Sequence, residues 1–148
     1  MSIEIQSSAL IREFLFAAAL HQIDRVKNFI EIDGLHPDAT YRGKPTAICY
    51  ALLKPNWNLM NYLFIQGAEV NQADSVGMTP LHYAVLGGCE YCLSEVIARG
   101  AQVNVGNKCG KTPLAMTLDK PHLSDCREML THLGGSLIPG YPAISRLH

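Results

Sequence analysis

Residues 77–84 read Gly77-Met78-Thr79-Pro80-Leu81-His82-Tyr83-Ala84, and the first five of them have a counterpart further along the chain. That counterpart is Gly110-Lys111-Thr112-Pro113-Leu114, at an offset of 33. A second pair of matching blocks has the same offset, because Gly67-Ala68-Glu69-Val70-Asn71 recurs as Gly100-Ala101-Gln102-Val103-Asn104. Two independent blocks with one period predict a chain made of stacked structural repeats.

The same period locates two further copies towards the N-terminus. Thr46 lies one period before Thr79, and Ala18 lies one period before Ala51. The most N-terminal copy lacks the opening turn and carries many polar residues, which is typical of a capping repeat. We therefore expect one domain over residues 1–148, with a capping repeat at about 9–38, repeats at about 39–71, 72–104 and 105–137, and a C-terminal tail at 138–148.

Each copy has the pattern of a helix, a turn, a second helix and an extended loop. Thr79 is a good N-cap, and Pro80 suits the first helical position because its missing N–H costs no hydrogen bond there. Leu93 and Val96 give the second segment an apolar face, and Gly100 is a natural end for it. Such short helices are unstable alone, so their apolar faces must be covered by the adjoining copies.

Residues 79–84, the repeat period and the Gly-Ala-x-Val-Asn ending together resemble the ankyrin repeat, over about residues 9–137. The resemblance implies an all-α solenoid, an L-shaped stack of helix pairs with β-hairpin-like loops along one edge. It also implies that the His82 imidazole bonds to the neighbouring cap and loop backbone. The last copy departs from the family pattern, because Ala115 and Thr117 replace the usual histidine and alanine.

The composition is that of an ordinary soluble protein. Of the 148 residues, 48% are hydrophobic and 17% are charged, and the formal net charge is −1. No apolar run reaches the length of about 18 residues that a membrane span needs, and no secretory signal is evident. The five cysteines are an odd number, which suits reduced thiols better than a disulfide framework. We expect a cytoplasmic protein that acts as a monomer.

Three features that suggest chemistry are better explained by the repeat. Cys89 and Cys92 form a C-x2-C pair, but no second pair follows at the spacing of a zinc site. Residues 106–112 end in Gly-Lys-Thr, but they lack one of the four residues that a phosphate loop has between its glycines. The resemblance gives His82 a structural place. The sequence therefore predicts no catalytic residue, no metal, no cofactor and no enzymatic activity.

The resemblance places partner contacts on the hairpin tips and on the exposed side of each repeat's first helix, which together form a concave face. Six of the twelve basic residues map to this face, against only Asp74 and Asp119 among nearby acids. The candidate binding residues are Tyr41, Arg42, Lys44, Leu53, Lys54, Ser75, Val76, Met78, Leu86, Lys108, Lys111 and Lys120.

We expect a non-enzymatic adaptor or inhibitor that binds a protein with an acidic or mixed acidic-apolar surface. Apolar residues such as Tyr41, Val76, Met78 and Leu86 would anchor the partner, and lysines at the rim would steer it. A nucleic-acid partner is disfavoured because the basic residues lack interleaved aromatic side chains. Two alternatives stay open: a bacterial effector that acts on a host protein in the host cytosol, and a regulatory subunit of a larger enzyme complex.

Asn71 suggests a further role for the chain as a substrate. Leu63 lies eight residues before Asn71, which resembles the context in which ankyrin asparagines are hydroxylated by an oxygenase. Such a modification would be made on this chain by another enzyme.

The C-terminal tail is apolar but cannot form a regular helix. Ile138, Tyr141, Ile144 and Leu147 alternate with prolines at 139 and 142. We expect the tail to fold back over the last helix pair.

Overall fold

The computed structural model describes residues 3–140, with side chains from residue 7 onward. This part of the chain contains seven α-helices, two short 3-10 helices and no β-strand. The α-helices are α1 (Ile3–Ala19), α2 (Ile23–Glu31), α3 (Ala47–Leu53), α4 (Trp57–Ile65), α5 (Pro80–Gly87), α6 (Glu90–Ala98) and α7 (Ser124–His132). Tyr141, Ile144 and Leu147, which we expect to fold back over the last pair, lie outside the described residues.

The helices form pairs, and the first helix of each pair contacts the first helix of the next. The row of first helices runs from α1 to α3 to α5, while α2, α4 and α6 each pack on the helix that precedes them. Their buried apolar side chains form one continuous cluster along the stack. This arrangement confirms the predicted all-α repeat fold.

The first helix of the central repeat begins where the sequence predicts. Thr79 is the extended N-cap of α5, and Pro80 is its first helical residue. Gly88 ends α5 with φ 68°, in the left-handed region that glycine adopts without strain. In α6, Leu93 and Val96 are fully buried, which confirms the predicted apolar face.

The last repeat departs from the predicted helix-turn-helix pattern. A 3-10 helix, Ala115–Thr117, stands where the repeat predicts its first α-helix, and a second 3-10 helix, Pro121–Leu123, follows it immediately before α7. Pro121 has no N–H for a continuing helix and disfavours helical backbone at the preceding residue, whose φ and ψ are −125° and 92°. The Arg127 guanidinium donates to the Thr117 carbonyl, which satisfies an acceptor that a longer helix would otherwise use.

Small residues let the first helices approach each other closely. Ala51 of α3 and Ala84 of α5 occupy equivalent repeat positions, and both are fully buried. A Cβ atom added to Gly87 would lie 2.1 Å from the Leu52 carbonyl oxygen. The end of α5 therefore has no room for a side chain against α3, and glycine is required at position 87.

We predict that Gly87→Ala lowers the free energy of unfolding by about 1–3 kcal/mol, the usual cost of overpacking a tight contact. Lys54 holds the same repeat position after α3 but is exposed, so Lys54→Ala is the matched control. The control should change stability by less than about 0.5 kcal/mol. Urea denaturation measures both values, and wild-type stability in Gly87→Ala would contradict the close approach.

Candidate functional site

A side chain inside each of two successive loops fixes the shape of its hairpin. Asp74 Oδ1 accepts hydrogen bonds from the backbone N–H groups of Val76 at 3.0 Å and Met78 at 2.9 Å. Asn107, at the equivalent position, accepts from the two equivalent N–H groups at 2.9 and 3.0 Å. The hairpin tips are therefore held by their own sequence before any partner is present.

Backbone hydrogen bonds join each hairpin to the next. The Ser75 N–H donates to the Gly43 carbonyl at 3.0 Å, and the Lys108 N–H donates to the Val76 carbonyl at 3.0 Å. Donor and acceptor of the second bond each lie one period beyond those of the first. The side chains at the three tips are consequently presented at a regular spacing.

His82 joins the central repeat to the following hairpin. Its Nδ1 accepts from the Thr79 N–H at 3.1 Å, and its Nε2 lies 2.9 Å from the Lys111 carbonyl oxygen. Because an N–H can only donate, Nδ1 is the acceptor and the neutral ring carries its proton on Nε2, which donates to Lys111. Burial of the imidazole lowers the pKa of His82, more than the Lys111 carbonyl raises it. The structural role implied for His82 is present, and its ring is fully buried.

Eleven of the twelve candidate binding residues reach the surface. Leu53 and Leu86 occupy equivalent positions at the ends of the contacting helices α3 and α5, and the tip residues follow the hairpin spacing. The exposed candidates are Arg42, Lys44, Leu53, Lys54, Ser75, Val76, Lys108 and Lys111, and the half-buried ones are Tyr41, Leu86 and Lys120.

Met78 is the exception, because its side chain is buried rather than available to a partner. It is only 9% exposed, and its sulfur lies 3.5 Å from Nδ2 of Asn107 in the next hairpin. The expectation that Met78 anchors a partner at the centre of the face is therefore wrong. Its thioether fills the space between two hairpins instead.

A groove lies between α1 and the first hairpin. Its volume is about 250 Å³, and the candidates Tyr41 and Lys44 line it together with Arg12, Phe16 and Tyr50. The Phe16 side chain is 57% exposed. The Arg12 guanidinium lies 5.6 Å from the centre of the Tyr41 ring, within the range of a cation-π contact. The sequence pattern does not assign Arg12 and Phe16 to this face, because their repeat has the polar composition of a cap.

Most of the cations on this face form no short ion pair with the side chains of residues 7–140. Among the side chains of residues 7–140, Lys120 pairs with Asp119 at 3.6 Å, but no other cation of the face lies within 4 Å of a carboxylate. The Asp74 carboxylate accepts hydrogen bonds from the Tyr83 hydroxyl and from the Val76 N–H of its own hairpin, so these groups satisfy it instead of a cation. We call this surface the basic palm, made of Arg12, Arg42, Lys44, Lys54, Lys108 and Lys111 around Tyr41, Leu53, Val76 and Leu86.

The described part of the chain shows no cluster of metal-binding side chains and no membrane-spanning helix. Residues 7–140 hold no group of three or more His, Cys, Asp or Glu side chains that could bind a metal. Cys89 instead caps α6, because its sulfur accepts from the Cys92 N–H at 3.2 Å. None of the helices between residues 3 and 140 is long and apolar enough to cross a membrane.

A family model described as ankyrin repeats (3 copies) matches residues 14–107 and, in an overlapping alignment, residues 48–136. The chain belongs to the ankyrin-repeat family. No curated protein sequence matches it. Ankyrin repeats generally mediate protein-protein interaction, and the family is typically non-enzymatic, so the basic palm is a candidate interface.

Asn71, the candidate for hydroxylation, holds two ankyrin repeats together. Its Nδ2 donates to the Gly100 carbonyl at 3.1 Å, and its Oδ1 accepts from the Gln102 N–H at 2.9 Å. Asn104 repeats this arrangement one period later, donating to the Gly134 carbonyl at 3.1 Å. Both asparagine side chains thus hold adjacent repeats together in the unmodified protein.

We predict that His82→Ala lowers the free energy of unfolding by about 1–3 kcal/mol, because it leaves the buried Thr79 N–H without its acceptor. Exposed His122, changed to Ala, is the control and should stay within about 0.5 kcal/mol of wild type. Urea denaturation at neutral pH measures the difference. Equal stability of the two variants would show that the imidazole bridge contributes nothing.

The lowered pKa of His82 also predicts how the free energy of unfolding depends on pH. Since the pKa of His82 is lower in the folded chain than its ordinary 6.5, the unfolded chain binds more protons as the pH falls below that value. The contribution of His82 to the free energy of unfolding is therefore complete above about pH 6.5 and declines towards lower pH. Wild type should lose more stability between pH 7.5 and pH 5.5 than His82→Ala does. Parallel losses in both proteins would contradict this.

Proposed function

We propose that this ankyrin-repeat protein is a binding module, an adaptor or inhibitor, that engages a partner protein through the basic palm and acts without catalysis of its own. The observation that supports this most directly is the groove lined by Tyr41 and Phe16, at which the exposed cations Arg12, Arg42 and Lys44 lie. The net charge of −1 hides this uneven distribution, since half of the basic residues belong to one face.

The chemistry of the basic palm selects an acidic or mixed acidic-apolar partner. Lysine and arginine side chains on exposed rims steer an acidic surface towards the site and speed association. Apolar area at the centre supplies most of the affinity. Val76, at a hairpin tip, is 56% exposed, and Leu53 is 38% exposed, so both offer such area.

The groove gives the proposed interface a place for an inserted side chain. Tyr41 is half-buried, with Arg12 and Arg42 over its ring at 5.6 and 5.1 Å. Stacking of this kind orders flexible arginines before a partner arrives, which reduces the entropy lost on binding. A partner residue in the groove would meet aromatic walls and have three cations, including Lys44, within reach of a neighbouring carboxylate.

We predict that the triple variant Lys44→Glu, Lys54→Glu, Lys111→Glu associates with the partner roughly tenfold or more slowly and shows a weaker dependence on salt. All three side chains are exposed, so the variant should fold normally. The matched comparison is Lys44→Glu against Lys27→Glu, because Lys27 lies on α2, outside the basic palm. Surface plasmon resonance at two salt concentrations measures the rates.

The partner for that measurement is obtained by affinity capture from native lysate. Wild type and the Lys27→Glu control should retain a protein that is lost from the triple variant and from a variant with Tyr41, Val76 and Leu86 changed to alanine. Retention of the same protein by all four baits would place the interface elsewhere on the molecule.

A further inference from the structure

Two cysteines outside the basic palm meet at the first turn of α6. Cys89 is the N-cap residue, and its sulfur accepts a hydrogen bond of 3.2 Å from the backbone N–H of Cys92. Residues three apart on a helix have Cα atoms roughly 5 Å apart, from the helical rise and radius, and a disulfide spans that distance without strain.

The two cysteine residues differ in their exposure to solvent. Cys89 is half-buried, whereas Cys92 is 1% exposed and belongs to the core. Burial raises the pKa of Cys92, and it also raises the pKa of the neighbouring Cys126 on α7. Both buried thiols therefore stay protonated near neutral pH, and Cys89 is the most exposed residue of the three, the one at which we expect a small oxidant to react first.

We propose that Cys89 and Cys92 form a peroxide-sensitive dithiol, which hydrogen peroxide oxidises to an intramolecular disulfide. In the first step the Cys89 sulfur attacks one peroxide oxygen: an S–O bond forms, the O–O bond breaks, and water leaves. In the second step the Cys92 sulfur attacks the resulting sulfenic acid, so that an S–S bond forms and the S–O bond breaks. The Cys92 proton leaves with the hydroxyl group as a second water. Two thiols lose two electrons, and the peroxide gains them.

The other cysteines of the chain provide internal controls. Cys49 is buried in α3, where its thiol lies 3.5 Å from the Thr46 hydroxyl. Cys109 is exposed at a hairpin tip. If accessibility alone governed oxidation, Cys109 would react first and would link two molecules together. A resolving thiol one helical turn away instead favours oxidation within the Cys89 and Cys92 pair.

The test treats the full-length reduced protein with hydrogen peroxide and then alkylates it under denaturing conditions. The number of alkylated thiols should fall from five to three, because one disulfide consumes two of the five free cysteines. Glu90 lies between the paired residues, so digestion with a glutamate-specific protease should release two peptides joined through Cys89 and Cys92. The Cys109→Ser variant should give the same linked peptides.

Variants of the pair separate the two steps. Cys89→Ser keeps a good N-cap residue but cannot form the disulfide. Peroxide should therefore no longer lower the number of alkylated thiols by two in this variant. Cys92→Ala should leave a sulfenic acid on Cys89 that dimedone traps. If Cys92→Ala fails to fold, the linked peptides of wild type and the thiol count of Cys89→Ser still test whether the disulfide forms. Oxidation confined to Cys109, or a disulfide that joins Cys89 to Cys126, would overturn the proposal.

Discussion

Hydrogen bonds between loops one repeat apart are the interactions on which the rest of this structure depends. The backbone bond from Ser75 to Gly43 recurs from Lys108 to Val76, so each hairpin tip takes its position from the one before it. His82 adds a buried link from the cap of α5 to the Lys111 carbonyl. Because the palm residues Arg42, Val76 and Lys108 belong to these loops, their spacing follows from the backbone, and a partner meets a surface that is already organised.

Features that depend on local sequence could be predicted. The repeat period follows from matching blocks 33 residues apart. The cap at Thr79 and the apolar face of α6 follow from residue preferences within one repeat. The structural role of His82, which the family resemblance implies, is also present, since its imidazole bonds to the Thr79 N–H and the Lys111 carbonyl. Each of these residues takes its conformation from groups close to it in the same repeat or from the matching loop of the next repeat.

Features that depend on residues further away could not be predicted. Met78 is buried next to the side chain of Asn107 from the following hairpin. In the last repeat, Arg127 donates to the Thr117 carbonyl, and Pro121 has no N–H with which to bond to it. The groove needs α1 to lie against the first hairpin, which brings Arg12 to Tyr41. A repeat register assigns a position to each residue, but it does not show which neighbour fills the space beside that position.

The regular spacing of the loop bonds also determines how the chain reaches its folded state. The side-chain links between repeats join residues about one period apart, as from His82 to Lys111 with a separation of 29. Each added repeat therefore closes a loop of similar length, at a similar cost in chain entropy. Folding can begin at the repeat that holds the complete Thr79 to His82 motif and spread towards both ends. Low contact order of this kind is associated with fast folding.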